Sequence, residues 1–161
     1  MQVQTTVEPI SDYELERGKP RPTLNHAVVQ GNLAFALKLA YRQKFSFLPE
    51  INLTMPERPD AVPDVAIYPK LEIDFLHDVT SMTDMPLTVI EIISPSQSHE
   101  EILSKFERYF NAGVKSCWLV MPSFQAISVY SGVGKYQFFS TDQTLTDAAT
   151  GIELPVGEVF S

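Results

Sequence analysis

Several things are scarce in this 161-residue sequence, and each scarcity removes a class of protein. There is one cysteine, Cys117, so no disulfide can close within the chain, and no Cys/His group has zinc-ligand spacing. No apolar run approaches the roughly 18 residues that a membrane helix needs, and no basic segment leads into an apolar one at the start. The expectation is a soluble, cytoplasmic protein with no membrane partner. Positive charge is also short: 12 Lys and Arg stand against 20 Asp and Glu, a net charge of −8. That balance argues against a general nucleic-acid coat protein or a polybasic membrane binder. It leaves room for a nucleic-acid enzyme with a local basic rim, because a bound metal can supply the missing charge. Repeats and low-complexity segments are absent as well.

What is present is enough for one globular domain spanning residues 1–161, with 44% apolar and 20% charged residues. Ser11-Asp12-Tyr13-Glu14 reads as a capping box opening a short helix that Gly18 and Pro20 stop. Asn25 is a candidate cap for a long helix to about Gln43, with a broad stripe that includes Val28, Val29, Leu33, Phe35 and Leu37. Strand signals follow over Phe45 to Thr54, Val65 to Tyr68 and Leu87 to Ile93, the last nearly all apolar and bounded by Pro86 and Pro95. A helix from about Ser98 to Asn111 ends at Ala112-Gly113. Short strands at Ser116–Met121, Ala126–Tyr130 and Lys135–Ser140 come next, then a weaker one near Ile152. This order predicts an α/β domain with a mixed β-sheet flanked by α-helices.

One residue in this pattern demands an explanation. Glu91 interrupts the apolar strand, on the face of Val89 and Ile93 and opposite to Ile90 and Ile92. An unpaired carboxylate there costs several kcal/mol, so it must be neutralised, paired or bound to a metal. A structural salt bridge or an edge-strand location would satisfy it. A second carboxylate, Asp64, begins the preceding strand on the face of Ala66 and Tyr68. Two acids on neighbouring strands make a hard oxygen pair suited to Mg²⁺ or Mn²⁺, which the backbone carbonyl of Ile92 can complete. Lys105 lies at the edge of the Ile102/Phe106/Tyr109/Phe110 stripe, one turn after Glu101. It reads either as half of a surface Glu–Lys pair or as an ammonium beside the carboxylates.

Together these residues resemble the PD-(D/E)xK nuclease pattern, and more narrowly the Uma-two family of bacterial restriction-endonuclease-like proteins. The matching pieces are Tyr13-Glu14-Leu15 with Gly18, His26, Pro63-Asp64-Val65-Ala66 and Glu91-Ile92-Ile93-Ser94-Pro95-Ser96. Lys105 with Tyr109, Ala112-Gly113-Val114 and Trp118-Leu119-Val120 complete the set. The resemblance implies a restriction-endonuclease-like core in which Asp64, Glu91 and the Ile92 carbonyl hold the metal and Lys105 is the catalytic lysine. The usual pattern puts lysine two residues after the acid, where this chain has Ile93. Family members resemble a variant in which the lysine has moved to the next helix, where Lys105 stands. Glu101 departs from the Asp that the family often carries.

Glu14 matches an additional acidic position near the metal in related nucleases, against its reading as a capping-box residue. His26 matches the family histidine, against its reading as a locally bonded residue at a helix start. His77 and His99 match nothing and read as surface residues. The implied activity is metal-dependent hydrolysis of nucleic-acid phosphodiester bonds, with DNA the favoured substrate and Arg17, Lys19, Arg21, Arg42 and Lys44 as a candidate rim. The implied assembly is a homodimer, with Ile152 to Phe160 as a candidate contact segment. Two alternatives stand beside this reading: a non-catalytic nuclease-fold domain binding DNA or protein, and a hydrolase of small phosphoesters.

Overall fold

A computed structural model describes residues 21–161 together with Asp12 and Glu14. Asp12 and Glu14 are both helical, and the rest of the expected first helix lies outside the described residues. Helix α1 spans Leu24–Tyr41, and the side chain of Thr23 accepts from the backbone N–H of His26 at 3.2 Å. Thr23, not Asn25, is therefore the cap. It follows Pro22 in an extended conformation, which sets its hydroxyl over the first turn. Val29, Leu33 and Leu37 face inward, while Leu24, Val28, Phe35 and Leu39 remain exposed on the opposite side.

Strand β1 (Phe45–Pro49) is half the expected length. Pro49 lacks a ladder donor and Glu50 takes a left-handed φ of 52°, so pairing stops there. Strands β2 (Val65–Pro69), β3 (Thr88–Ile92), β4 (Ser116–Met121), β5 (Ala126–Gly132) and β6 (Lys135–Phe139) continue a six-stranded sheet in sequence order. Every neighbouring pair is antiparallel except β3 and β4, which run parallel. Their crossover is helix α2 (His99–Asn111), capped by Ser98, whose hydroxyl accepts from Glu101 N–H at 3.2 Å. A parallel pair needs such a crossover, and this one sets β3 in the sheet interior. The α/β class and the mixed sheet flanked by helices are as expected.

The sheet is sandwiched. On one face, Val29, Leu33 and Leu37 of α1 pack with Phe47, Ile67, Ile90, Ile92 and Trp118. On the other, Ile102, Phe106 and Tyr109 of α2 pack with Ala66, Val89, Cys117, Leu119 and Tyr130. Instead of one weak strand near Ile152 there is a hairpin, β7 (Thr144–Asp147) with β8 (Ile152–Pro155). Ile152, Leu154, Val156 and Val159 are buried in the α1-side core, so the apolar tail expected as a contact segment serves the chain's own interior. Its alternation of one inward apolar residue per two positions is that of a half-buried strand. Among the described residues no helix is long and apolar enough to cross a membrane.

Asp147 ties this hairpin to the sheet. Its Oδ2 accepts from Trp118 Nε1 at 2.8 Å and from the Ser116 hydroxyl at 2.6 Å, and Thr88 joins through a 2.6 Å contact with Ser116. Oδ1 accepts from Ala149 N–H at 2.9 Å, shaping the turn. With Asp147 only 3% exposed, Asp147→Ala strands a buried indole N–H and hydroxyls. Chemical denaturation should show a loss of about 2–4 kcal/mol, with Asp147→Asn losing less.

Candidate active site

The antiparallel register pairs Val65 with Ile90, so Asp64, one residue before β2, stands opposite Glu91 on β3. Both are 2% exposed. Glu91 points to the α2 side, as the strand alternation requires. There the Tyr109 hydroxyl donates to Glu91 Oε1 at 2.9 Å. Burial and then the Glu91 charge push the Tyr109 phenol well above its usual value, so it stays a donor. Asp64 is gripped from three directions. Ile92 N–H donates to Oδ2 at 2.7 Å, His26 Nε2 lies 3.1 Å from Oδ1, and the Gln30 carboxamide donates to the Asp64 carbonyl at 3.0 Å.

His26 and Gln30 come from α1, on the sheet face opposite to α2. The site therefore sits at the sheet's end, where both helical layers reach the same two strands. His26, Asp64 and Glu91 line a cavity of about 20 Å³ together with Arg21, Pro22, Ser94 and Gln97. That is room for about one water-sized particle. A wider cavity of about 440 Å³ adjoins it through His26, Ser94 and Gln97.

Of the residues expected at the site, Asp64, Glu91 and Ile92 come together. Lys105 is half-buried on α2 and makes no ion pair among the described residues, either with Glu101 or with the site carboxylates. Glu14 is helical and half-buried. Of the expected basic rim, Arg17 and Lys19 lie outside the described residues, and Arg21 is at the cavity. Arg42 and Lys44 follow the other end of an 18-residue helix, about 27 Å away by helical rise, so the five do not form one rim.

His26 corrects an expectation. Its backbone is bonded locally, but its side chain is buried against Asp64. The signal was available: positions 26, 29, 33 and 37 share the inward stripe of α1. Tyr109, which the sequence puts in the apolar stripe of α2 and in the family match, is both core and the partner of Glu91. Gln30 left no comparable trace.

Among the described residues, no three His, Cys, Asp or Glu side chains are arranged to hold a metal ion. Two carboxylates do suffice for Mg²⁺, which usually takes one or two and fills its remaining positions with water and substrate phosphate. The donor set fits such an ion.

A family model described as "Putative restriction endonuclease" (Uma2) matches residues 3–157. No curated protein sequence matches the chain. Among solved structures, one titled as a "putative nuclease belonging to DUF820", from Anabaena variabilis ATCC 29413, is similar with a TM-score of 0.75 and 19% identity. The match covers 88% of this chain and 83% of that one. At that identity the likeness concerns the fold.

The site also sets an alkaline limit. Burial, then the charges of Glu91 and Asp147, drive the Cys117 thiol far above the usual thiol range, and burial, then Glu91, raises the Tyr109 phenol well above its ordinary value. Both are neutral when protonated and hold their protons more tightly folded than unfolded. Stability is therefore complete below about pH 9 and falls as pH rises past the unfolded values. Denaturant midpoints at pH 8 and 10.5 should show this, and a thiol reagent should label Cys117 only on unfolding.

Proposed function

Because the chain belongs to the Uma2 family, whose description is "Putative restriction endonuclease", we propose that it is a metal-dependent endonuclease hydrolysing nucleic-acid phosphodiester bonds. The observation that carries this reading is the buried carboxylate pair, Asp64 and Glu91, facing one small cavity at the end of the sheet. Asp64, Glu91 and the Ile92 carbonyl would hold Mg²⁺ or Mn²⁺. Such an ion, when bound, polarises the phosphate and lowers the pKa of a coordinated water.

The chain's own residues do the rest. Ile92 N–H and His26 fix the Asp64 carboxylate, and Tyr109 fixes Glu91, so neither acid has to reorganise as charge develops. Arg21, at the cavity, is placed to meet a phosphate. Lys105, on the helix that follows the Glu91 strand, is assigned to orient the attacking water or to neutralise the phosphoryl oxygens. Glu14 is assigned as an additional acid. Nucleic acid, DNA first, is the substrate, and the working form is a homodimer presenting one site to each strand.

Two observations favour a second reading: Asp64 already has partners on both oxygens, and Lys105 makes no ion pair among the described residues. On that reading the fold is kept as a non-catalytic binding domain.

Incubating plasmid and oligonucleotides with Mg²⁺ or Mn²⁺ decides between them. Cleavage should fall by at least about a hundredfold in Glu91→Gln, with the fold intact by circular dichroism. Calorimetric metal binding should be lost in Asp64→Asn. Full activity in Glu91→Gln would sink the assignment, and no cleavage with no metal binding, oligonucleotide present, would leave the binding domain.

A further inference from the structure

Helix α1 carries two apolar faces, and the fold uses one of them. His26, Val29, Leu33 and Leu37 point inward. On the opposite side Leu24 is 78% exposed, Val28 47%, Phe35 68% and Leu39 73%. A surface helix ordinarily turns charged and polar residues outward, and one that is apolar all round belongs inside something. Helix α1 holds no acidic residue, and Lys38 is its one lysine or arginine. The patch runs on at the helix start, where α1 packs beside the 3-10 turn Pro122–Phe124 and Phe124 is exposed. Together these side chains uncover on the order of several hundred Å² of apolar surface, the size at which a patch marks an interaction site.

Gly31 adds an independent sign. It lies in the middle of that face, where alanine would make a more stable helix. A Cβ there would meet nothing within 4 Å, so the chain's own packing does not exclude alanine. Ala27, Gly31, Phe35 and Leu39 follow at four-residue steps, which makes them one ridge of the helix surface with a dip at Gly31. Such a dip lets a second helix approach closely. Charge and shape then select the occupant. The chain has a net charge of −8, so two copies repel unless they meet across a face free of acids, and α1 presents one. A charged partner would find one cation and no anion along the helix, too little for electrostatic recognition. The ridge crossing its own copy at Gly31 is self-complementary: each dip accepts the other, and Val28 and Phe35 close on the crossing from either side.

We propose that the outward face of α1 is where two copies of the chain join, crossing at Gly31. The inference rests on the dimeric form in the nuclease reading and gives it a surface, since the segment Ile152 to Phe160 packs into the chain's own core. A dimer of standard size buries about 800 Å² per partner, of which this face supplies the apolar centre. Gly31 is seven residues from Leu24. A crossing of about 50° therefore sets the two helix starts on the same side of the twofold axis, within roughly 20 Å of each other by helical rise. Each start carries His26 against Asp64, so both carboxylate sites are brought to one duplex.

Sedimentation equilibrium of the native chain at about 100 µM, a concentration that occupies interfaces of this size, should give twice the 18.1 kDa of one chain. Added salt should tighten the association, because it screens the repulsion between two acidic chains and leaves an apolar contact intact. Phe35→Glu and Gly31→Leu, both at exposed positions, should each weaken association on the order of thirtyfold or more, with circular dichroism unchanged. Phe138→Glu, on the exposed edge strand β6, should not. A monomer at that concentration, dissociation by salt, or a dimer lost in Phe138→Glu but kept in Phe35→Glu overturns the proposal. A monomer that Phe35→Glu destabilises does so too, and names residues 1–20 as the cover of that face. The two readings fail separately, because mass reports the interface without any cleavage. A Phe35-dependent dimer that cuts nothing keeps the interface and removes the nuclease. A monomer that linearises plasmid keeps the nuclease and removes the interface. Where both hold, Phe35→Glu should leave nicked circles in place of linear plasmid, and linear product from that variant overturns the pairing of the sites.

Discussion

Two carboxylates buried in one end of a sheet are the constraint that the remaining architecture answers. Asp64 and Glu91 are each withdrawn from water, and such groups must be hydrogen-bonded or paired to be tolerated. The partners come from everywhere: Tyr109 from α2, His26 and Gln30 from α1, and the backbone of Ile92 from β3 itself. Displacing either helix would take a hydrogen-bond partner away from one of the acids. The helices are thus positioned by polar demands at the site as well as by the apolar stripes that bury most of their area.

The sheet carries polar anchors at both ends. Thr88 and Ser116, at the starts of the parallel strands β3 and β4, join Asp147 and Trp118 in a closed set of hydrogen bonds. Asp64 and Glu91 occupy the other end. The distinction is chemical. Both Asp147 oxygens meet donors from the chain's own turn and core, and that network stabilises. At the site, by contrast, the buried Nδ1 of His26 has no hydrogen-bond partner among the described residues, a cost of the kind that functional sites retain.

Much of this was legible beforehand. Glu91 stood out because one charge in an apolar β-branched strand violates its own pattern, and Asp64 because it opened the neighbouring strand. The helix Ser98–Asn111 was readable from its cap and its stripe. What escaped notice was whatever depended on tertiary pairing. Glu50's left-handed backbone shortened β1 against its apolar composition, and β7 was hidden because Thr-Leu-Thr-Asp carries only one apolar residue. His26 was underrated because a histidine at a helix start has a local explanation. Only the sheet end coming round to meet α1 shows that its ring is needed elsewhere. The exposed Phe124 left no periodic signal, since it rides on a single turn between strands.

The Val65–Ile90 register has a consequence for how such a chain can vary. Side chains alternate along β2, so one residue inserted or removed there would send Asp64's successors to the wrong faces and part it from Glu91. The exposed stretch 72–80 lies outside that ladder and can lengthen or shorten at small entropic cost, unlike the stretch around Leu53, which is bridged to Ala61 and Met82. Tolerance of length change should therefore be sharply discontinuous along the sequence, wide in the loops and nil across the few residues that set two acids face to face.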